Sequence, residues 1–423
     1  MAAGVDSASI NDTARQSGGL PGWRTPLVIV LCGCLIGMLT FGPRSATGQF
    51  LTPLSFAHGW GREVFSLALA MQNLLWGIGQ PLAGGIADRY GSMRVLCVGA
   101  LLYGVGLVMM AHVQTPTGLE LSAGFLVGFG LAGCSFNIII GAFGKLVPES
   151  WRTLSFGAGT AAGSFGQFLF SPLARGLIDT IGWQNALTSF GFLMLLVLPL
   201  SIAVATRPTT ATAAAASGPQ QSYREALSEA LRHRSYVLLV LGFFTCGFQL
   251  QFVTVHLPSY LMDRGLSAEV GGWTIGVIGL FNIVGSLCSG WLGSFLPKRY
   301  ILAAIYLLRG AAIMAFIMLP MTVTNALVFG ATMGFLWLST VPPTNGIVAV
   351  MFGTRWLTML SGFAFFSHQV GGFLGVLLGG IAFERTGSYN VIWWLSIAFS
   401  VLSAVINLPI VERPVARPQA VAA

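Results

Sequence analysis

The sequence predicts an all-α integral membrane protein with twelve transmembrane helices in two similar six-helix bundles. Three features of the chain lead to this fold class: its composition, the length of its apolar stretches, and a repeat between its halves. Hydrophobic residues make up 55% of the 423 residues and charged residues only 8%. A soluble domain carries roughly a quarter charged residues, so most of this protein's surface is expected to face lipid.

The apolar stretches are long enough to cross a bilayer, for which a helix needs about 20 residues. They lie near 26–53, 63–84, 95–113, 120–145, 153–176, 185–206, 235–262, 270–292, 300–320, 324–351, 357–383 and 389–411. Between the sixth and the seventh, an Ala/Thr/Ser/Pro-rich segment precedes SYREALSEALRHR, which is typical of a short surface helix. The predicted divisions are a disordered cytoplasmic tail 1–22, bundles 23–206 and 235–411, a cytoplasmic linker 207–234 and a cytoplasmic tail 412–423.

A repeat relates the two halves. Shifting the chain by about 205 residues brings many identical residues together, and the offset holds over most of the half-length. The coinciding pairs include Gly42 with Gly247, Pro53 with Pro258, Trp151 with Trp356, and Gly166 with Gly371. Because each half has six spans, both halves have the same orientation, as in a parallel repeat about an axis along the membrane normal.

The distribution of charge predicts the topology. Most of the 21 Lys and Arg fall in every second connection, whereas the opposite connections hold only Arg62, Arg175, Arg264 and Arg385. The positive-inside rule then places both termini in the cytoplasm of a multi-pass protein of the cell (inner) membrane. The basic residues form no stripe, so the net charge of +8 does not indicate a nucleic-acid partner.

The chain lacks the sequence signatures of several other classes of protein. The six cysteines lie within apolar runs without metal-ligand spacing, and no protease, nucleophile-elbow or ATP-binding motif is present. We therefore expect neither an enzyme nor a primary pump, with no cofactor and no metal. A membrane sensor would need an output domain, for which the predicted tails are too short. We expect a monomer in contact with the lipid bilayer.

A motif lies between the second and third spans, where the chain reads GGIADRYGSMR over residues 84–94. It resembles the loop signature of the major facilitator superfamily, and with the twelve spans and the repeat this resemblance covers the whole chain. The second half keeps a less complete copy at 290–299, with Ser294 in place of the acid. The resemblance implies a gating role at the cytoplasmic face for four residues. They are Asp88, Arg89, Gly91 and Arg94.

Within the superfamily, three stretches resemble bacterial relatives of monocarboxylate porters and oxalate–formate antiporters. They read FGPRSATGQFLTPLS, GWGREVFSLALAMQNLLWGIGQP and FVTVHLPSYLMDRGLS. The chain departs from that group at two positions. Ser286 stands where an arginine is expected in the eighth span, and His368 is the nearest polar residue to an expected lysine in the eleventh.

Arg44 is the most informative candidate, because it follows Gly42–Pro43 inside the first apolar run. An unpaired charge at that depth costs several kcal/mol, and Pro43 weakens the helix there. A guanidinium that faces the central cavity could bind a substrate carboxylate through two hydrogen bonds. Alternatively, Arg44 lies near the outer mouth and has a structural role.

The repeat suggests a partner for Arg44. The same shift relates it to Gln249, which would then lie across the pore on the seventh span. Gln249, Phe252 and His256 share one helical face, so Gln249 could donate to an anion and His256 could bind or carry a proton. A histidine that merely satisfies hydrogen bonds is the alternative for His256.

Further polar candidates lie in other spans, where buried amides also serve simply to hold helices together. His368 could line the site beside a tight helix contact. The weaker candidates are Asn282, Asn137, Gln167 and Asn345. Arg309 lies in the ninth span, which is peripheral in this fold, and a structural role is preferred for it.

These features predict a function. No Asp or Glu lies near the middle of a span, and a cation exporter usually needs an embedded carboxylate. The expected function is secondary active transport of small organic anions, mono- or dicarboxylates, by alternating access. A coupling proton or a counter-anion is left open. The alternative is an exporter of drugs or other hydrophobic solutes with the same fold.

Overall fold

A computed structural model describes residues 22–206, 223–353 and 357–415. The predicted tail up to residue 21, most of the linker and the last eight residues therefore lie outside the described part. Within these described ranges, twelve long helices coincide with the twelve predicted spans. They are α1 (Pro26–His58), α2 (Arg62–Tyr90), α3 (Ser92–Ala111), α4 (Pro116–Leu146), α5 (Glu149–Ile181), α6 (Trp183–Ala203), α7 (Arg234–Asp263), α8 (Ala268–Leu292), α9 (Lys298–Met318), α10 (Val323–Phe352), α11 (Leu357–Thr386) and α12 (Asn390–Asn407).

Within the described residues, ten of these helices are long and apolar enough to cross a membrane. The other two, α2 and α5, have 29 and 33 residues, so their length is also sufficient. Both carry buried amide side chains, among them Asn73 and Gln167. The short helix Tyr223–Arg232 precedes α7, as the charged segment predicts.

Each half has its own hydrophobic core. The core of the first half is built from residues between 29 and 204, joined by Val255 and Val376 from the second half. The core of the second half is built from residues between 230 and 410. Among the described residues the two halves meet mainly along α2 with α11, α5 with α8, and the outer part of α1 with α7; the 3₁₀ turn of α1 also touches α8.

Within the described residues four of these helices are interrupted: α6 by the 3₁₀ turn Met194–Leu196, and α1, α4 and α10 as follows. The interruptions of α4 and α10 are related by the repeat. In α4 the regular helix ends at Gly133 and resumes at Phe136, and in α10 it ends at Leu336 and resumes at Val341. The interruption of α1 follows Arg44, where the helix changes to a 3₁₀ turn at Thr47–Phe50 before it continues. Its repeat counterpart α7 is one continuous helix of 30 residues.

We call the side at which α1 begins the inner side and the opposite side the outer side. The hydrogen bonds between the halves extend from the outer ends of the helices to the middle, at the level of Asn73 and Ser164. Closer to the inner side, a Cβ at Gly84 or Gly85 of α2, or at Gly362 of α11, would meet nothing within 4 Å. Among the described residues, the halves are therefore in contact in the outer and middle parts of their interface.

Candidate functional site

The interruption of α1 places Arg44 at the junction of the two halves. Pro43 has no backbone N–H, and the helix ends at Ser45, where the N–H of Ala46 bonds back to the carbonyl oxygens of Gly42 and Pro43 at 3.3 and 3.2 Å. The following turn lies against α7 so closely that a Cβ at Gly48 would overlap the carbonyl oxygen of Thr254.

The Arg44 guanidinium is held by neutral oxygen atoms. Nη1 donates to Thr47 Oγ1 at 3.2 Å and Nη2 to Asn73 Oδ1 at 2.6 Å. Nη2 also donates to Gln251 Oε1 on α7, which belongs to the other half. The side chain is only 3% exposed, and its buried Nε–H has no acceptor.

No carboxylate in the described part of the chain pairs with Arg44. The ion pairs found there are Arg62–Asp263, Arg175–Asp179 and Lys298–Glu412. A buried cation is costly unless an opposite charge or good hydrogen bonds compensate it. The three neutral acceptors satisfy part of the guanidinium and leave its positive charge uncompensated, which makes the position suitable for an anion.

Two further side chains of α11 extend the hydrogen bonds around Arg44. Gln369 Nε2 donates to the backbone oxygen of Asn73 at 3.1 Å, and His368 Nδ1 lies 3.0 Å from Gln369 Oε1. Since that oxygen only accepts, Nδ1 is the donor. His368 is also stacked on Phe365, with ring centroids 5.5 Å apart. We call Arg44, Asn73, Gln251, Gln369 and His368 the cross-half network.

The predicted pairing of Gln249 with Arg44 is wrong. Gln249 is fully buried inside the second half, where its Nε2 donates to Ser396 O at 2.9 Å and Ser400 Oγ at 2.6 Å on α12. Gln251, two residues further along, faces Arg44 instead. A difference of two residues turns a side chain by about 200° around a helix, so the two glutamines lie on opposite faces of α7.

His256 shares the face of Gln249 and likewise lies away from Arg44. Its Nε2 is 2.9 Å from the carbonyl oxygen of Val376 and must donate to it, so Nδ1 accepts from the Tyr389 hydroxyl at 3.2 Å. Tyr389 precedes α12, and burial raises its pKa to about 12, which keeps the hydroxyl protonated. His256 is thus a hydrogen-bonded residue inside the second half in this conformation.

The weaker amide candidates divide into two groups. Asn282 connects α8 to α5, because its Nδ2 donates to Ser164 Oγ at 2.9 Å, and Gln167 donates to the Ile275 carbonyl oxygen at 3.4 Å. These two residues bridge the halves without contacting Arg44. Asn137 is exposed on α4 and Asn345 is half-buried on α10, and neither takes part in the cross-half network.

Arg309 has structural contacts, in agreement with the preferred interpretation. Its Nε and Nη2 donate to the Leu336 carbonyl oxygen at 3.1 and 2.6 Å, and Nη2 also donates to that of Trp337. These carbonyl groups have lost their helical partners at the interruption of α10. The fully buried Arg309 therefore stabilises the end of the first part of α10.

The four proposed gating residues lie where the inner end of α2 passes into α3. The side chains of Asp88 and Arg89 fall outside the described part, so their contacts remain predictions. Gly91 joins α2 to α3 with φ of +93°, and a Cβ there would lie 2.6 Å from the Thr206 carbonyl oxygen. Arg94 is exposed. Gly91 therefore has a steric reason to be glycine, because a positive φ is strained for other residues.

A second polar cluster joins the halves at the outer side. Arg62 donates to both carboxylate oxygens of Asp263, at 2.6 and 2.7 Å, and to the Tyr389 hydroxyl at 3.0 Å. The Arg62 backbone N–H donates to Glu384 Oε1 at 2.5 Å, and the guanidinium lies 3.8 Å from the Phe383 ring centroid. We call Arg62, Asp263, Glu384 and Tyr389 the outer cluster.

Two six-helix halves around a polar junction define a multi-pass membrane carrier. The chain belongs to the Major Facilitator Superfamily, whose family model matches residues 29–376. The protein is therefore a transporter, as the sequence predicts, and the family is not one of enzymes.

Relatives and solved structures agree with this assignment. The chain is 27% identical over 388 residues to "Uncharacterized MFS-type transporter YcxA" of Bacillus subtilis (strain 168), covering 90% of this chain and 94% of that protein. It is 24% identical to "Monocarboxylate transporter 13" of Rattus norvegicus, over 92% and 89% of the two chains.

The fold is also similar to solved transporters. A bacterial homologue of the human lysosomal transporter Spinster, in an inward-facing and occupied conformation, superimposes with a TM-score of 0.72 at 14% identity, covering 92% of this chain and 97% of that one. A D-xylose-proton symporter gives a TM-score of 0.69 at 17% identity, covering 92% and 98%.

Proposed function

We propose that the protein is a secondary active transporter of small organic anions, mono- or dicarboxylates, and that Arg44 binds the carboxylate. The observation that carries this proposal is the buried Arg44 guanidinium, which has no carboxylate partner among the described side chains and an unpartnered Nε–H. A carboxylate would supply both the missing charge and the missing acceptor, because a guanidinium can bind it through two parallel hydrogen bonds.

The surrounding amides connect substrate binding to motion of the halves. Gln251 Oε1 and Asn73 Oδ1 accept from Arg44, so an arriving carboxylate competes with them for the same N–H groups. Displacing Gln251 removes one of the hydrogen bonds between the halves. Binding would then weaken the contact that must break when the halves rock, which is what alternating access requires.

Neither the site nor the relatives suggest a cationic substrate. In the described spans, the Asp263 carboxylate is paired with the Arg62 guanidinium and the Glu384 carboxylate accepts from the Arg62 backbone N–H. Neither carboxylate of the outer cluster is therefore left to bind a cation. Several relatives are named as monocarboxylate transporters, with 23–25% identity to this chain.

The proposed orientation has both termini in the cytoplasm, from the positive-inside rule. A coupling proton or counter-anion is left to experiment.

Counterflow in proteoliposomes tests the proposal. Vesicles holding the purified full-length chain are loaded with one unlabelled mono- or dicarboxylate, and entry of its labelled form is measured at two pH values. We expect at least one carboxylate to exchange. Arg44→Gln should reduce uptake to the level of empty vesicles, and Arg44→Lys should keep a fraction, since it retains the charge without the planar fork.

Arg264→Gln is the matched control, because it removes one exposed cation at the outer surface and should leave uptake unchanged. If Arg44→Gln still took up the substrate with an unchanged half-saturation concentration, Arg44 would not be the carboxylate-binding residue. Exchange of a hydrophobic neutral or cationic solute, with no exchange of any carboxylate, would favour the drug-exporter alternative.

A further inference from the structure

A cavity at the inner side of the second half is lined by basic residues. It has a volume of about 670 Å³ and lies between the α8–α9 connection and the segment after α12. Its lining includes Lys298, Arg299 and Arg413 against the single carboxylate of Glu412, which leaves an excess of positive charge. Arg413 is exposed, so at least one cation is accessible from the cavity.

Local hydrogen bonds fix the shape of this cavity. Glu412 Oε1 accepts from the Arg299 backbone N–H at 2.7 Å, at the first turn of α9, and its other oxygen lies 4.0 Å from Lys298 Nζ. The Arg299 guanidinium donates to the Ile410 carbonyl oxygen and the Tyr300 hydroxyl, each at 3.0 Å. The Glu412 carboxylate is thus hydrogen-bonded to the first turn of α9. The Lys298 ammonium, 4.0 Å from it, forms only a weak ion pair with it.

An apolar groove continues from the basic cavity into the membrane region. It has a volume of about 270 Å³, shares Leu296 and Pro297 with the cavity, and lies between α8, α9 and the middle of α10. Along α9 it extends from Tyr300 to Leu308, about 12 Å at 1.5 Å per residue. That length is most of the roughly 15 Å depth of one leaflet of the hydrocarbon core.

We propose that an anionic phospholipid of the inner leaflet binds here, with its headgroup in the basic cavity and one acyl chain in the groove. Basic pockets beside membrane helices recognise anionic headgroups, and the groove is open to the bilayer. Tyr300 lies at the boundary and is 50% exposed, and Trp291 nearby is 66% exposed. Aromatic side chains of this kind are enriched at the level of the headgroups.

Thermal unfolding of the purified full-length chain in detergent tests this site. Phosphatidylglycerol or phosphatidylcholine is added at equal mole ratio, and Tm is followed by tryptophan fluorescence. A ligand that binds only the folded state raises Tm, so phosphatidylglycerol should raise it more than phosphatidylcholine. The double variant Lys298→Gln/Arg413→Gln should lose at least half of that difference, and Ala304→Phe, which fills the groove from its exposed rim, should do the same.

Two variants serve as matched controls. Arg232→Gln removes an exposed cation from the same side outside the cavity, and Ala311→Phe enlarges an exposed position of α9 beyond the groove. In both variants, phosphatidylglycerol should raise Tm above the value with phosphatidylcholine by as much as it does in the unmodified protein. The Tm without lipid reports whether each variant is folded, and native mass spectrometry of bound phosphatidylglycerol gives a second measurement.

Equal effects of the two lipids on the unmodified protein would overturn the proposal, as would a full difference in the double variant. Glycerol 3-phosphate carries the phosphate without acyl chains and should not raise Tm. If it were as effective as phosphatidylglycerol, the cavity would be a site for free phosphate compounds and the lipid assignment would be wrong.

Discussion

Arg44 of α1 donates a hydrogen bond to Gln251 of α7, so a buried cation of one half is held by a neutral amide of the other. The contact lies directly before the interruption of α1. It joins the proposed carboxylate site to the interface between the halves through a single pair of side chains, and several expected outcomes depend on it.

Replacing Gln251 with Glu should create an internal ion pair with Arg44. A substrate carboxylate would then have to displace a charged competitor, and we expect the half-saturation concentration to rise at least tenfold, or about 1.4 kcal/mol. The measurement is counterflow over a range of substrate concentrations. Gln251→Met is the control, because it removes the acceptor without adding charge. Equal half-saturation for both variants would contradict carboxylate binding at this position.

The outer contact between the halves can be locked by a disulfide. The hydroxyl oxygens of Thr52 on α1 and Ser259 on α7 are 2.9 Å apart, so the two side chains are in contact, as the partners of a disulfide must be. In a background without the native cysteines, oxidised Thr52→Cys/Ser259→Cys should stop transport, and reductant should restore it. Each single variant is the control. Full transport by the oxidised protein would show that α1 and α7 need not separate.

Gly48 should tolerate no side chain. A Cβ there would overlap the Thr254 carbonyl oxygen on α7, and overpacking of this kind costs about 1–3 kcal/mol. We expect Gly48→Ala to lower Tm and to reduce the yield of the disulfide described above. Gly84→Ala is the control, since a Cβ at that glycine meets nothing within 4 Å. A similar effect of both changes would point to a general intolerance of alanine.

Arg309 should matter for stability and not for substrate affinity. Arg309→Met removes the donor for the Leu336 and Trp337 carbonyl oxygens, and hydrogen bonds to charged groups contribute about 1.5–3 kcal/mol each. The expected result is a lower Tm with unchanged half-saturation in counterflow. A variant with normal Tm and greatly weakened half-saturation would instead make Arg309 part of the substrate path.

The sequence was sufficient for the fold because the relevant signals are strong and local. Each apolar run is long enough to specify a helix without information from its neighbours. The burial of Arg44 is also predictable, since a lone cation after Gly42–Pro43 stands out in an apolar run; its role in binding stays a prediction. The interruption of α1 at Ala46 agrees with the expected weakening of the helix at Pro43.

The partners of Arg44 could not be predicted in the same way. Asn73 and Gln369 are neutral amides, and buried amides are common wherever membrane helices pack. The 205-residue shift predicts Gln249. However, the residue-by-residue correspondence between the two halves fails where α1 is interrupted and α7 is continuous. A two-residue error selects the opposite helix face. The segment QLQ at 249–251 offers both glutamines, and only the packing of α7 against α1 distinguishes them.

The interruption of α1 makes the two halves mechanically unequal. A duplicated scaffold with matching helices could bend in the same way on either side of its axis, yet of α1 and its counterpart α7 only α1 is interrupted, next to the proposed carboxylate site. As the halves rock, α1 can therefore bend beside Arg44, whereas α7 moves as one continuous helix.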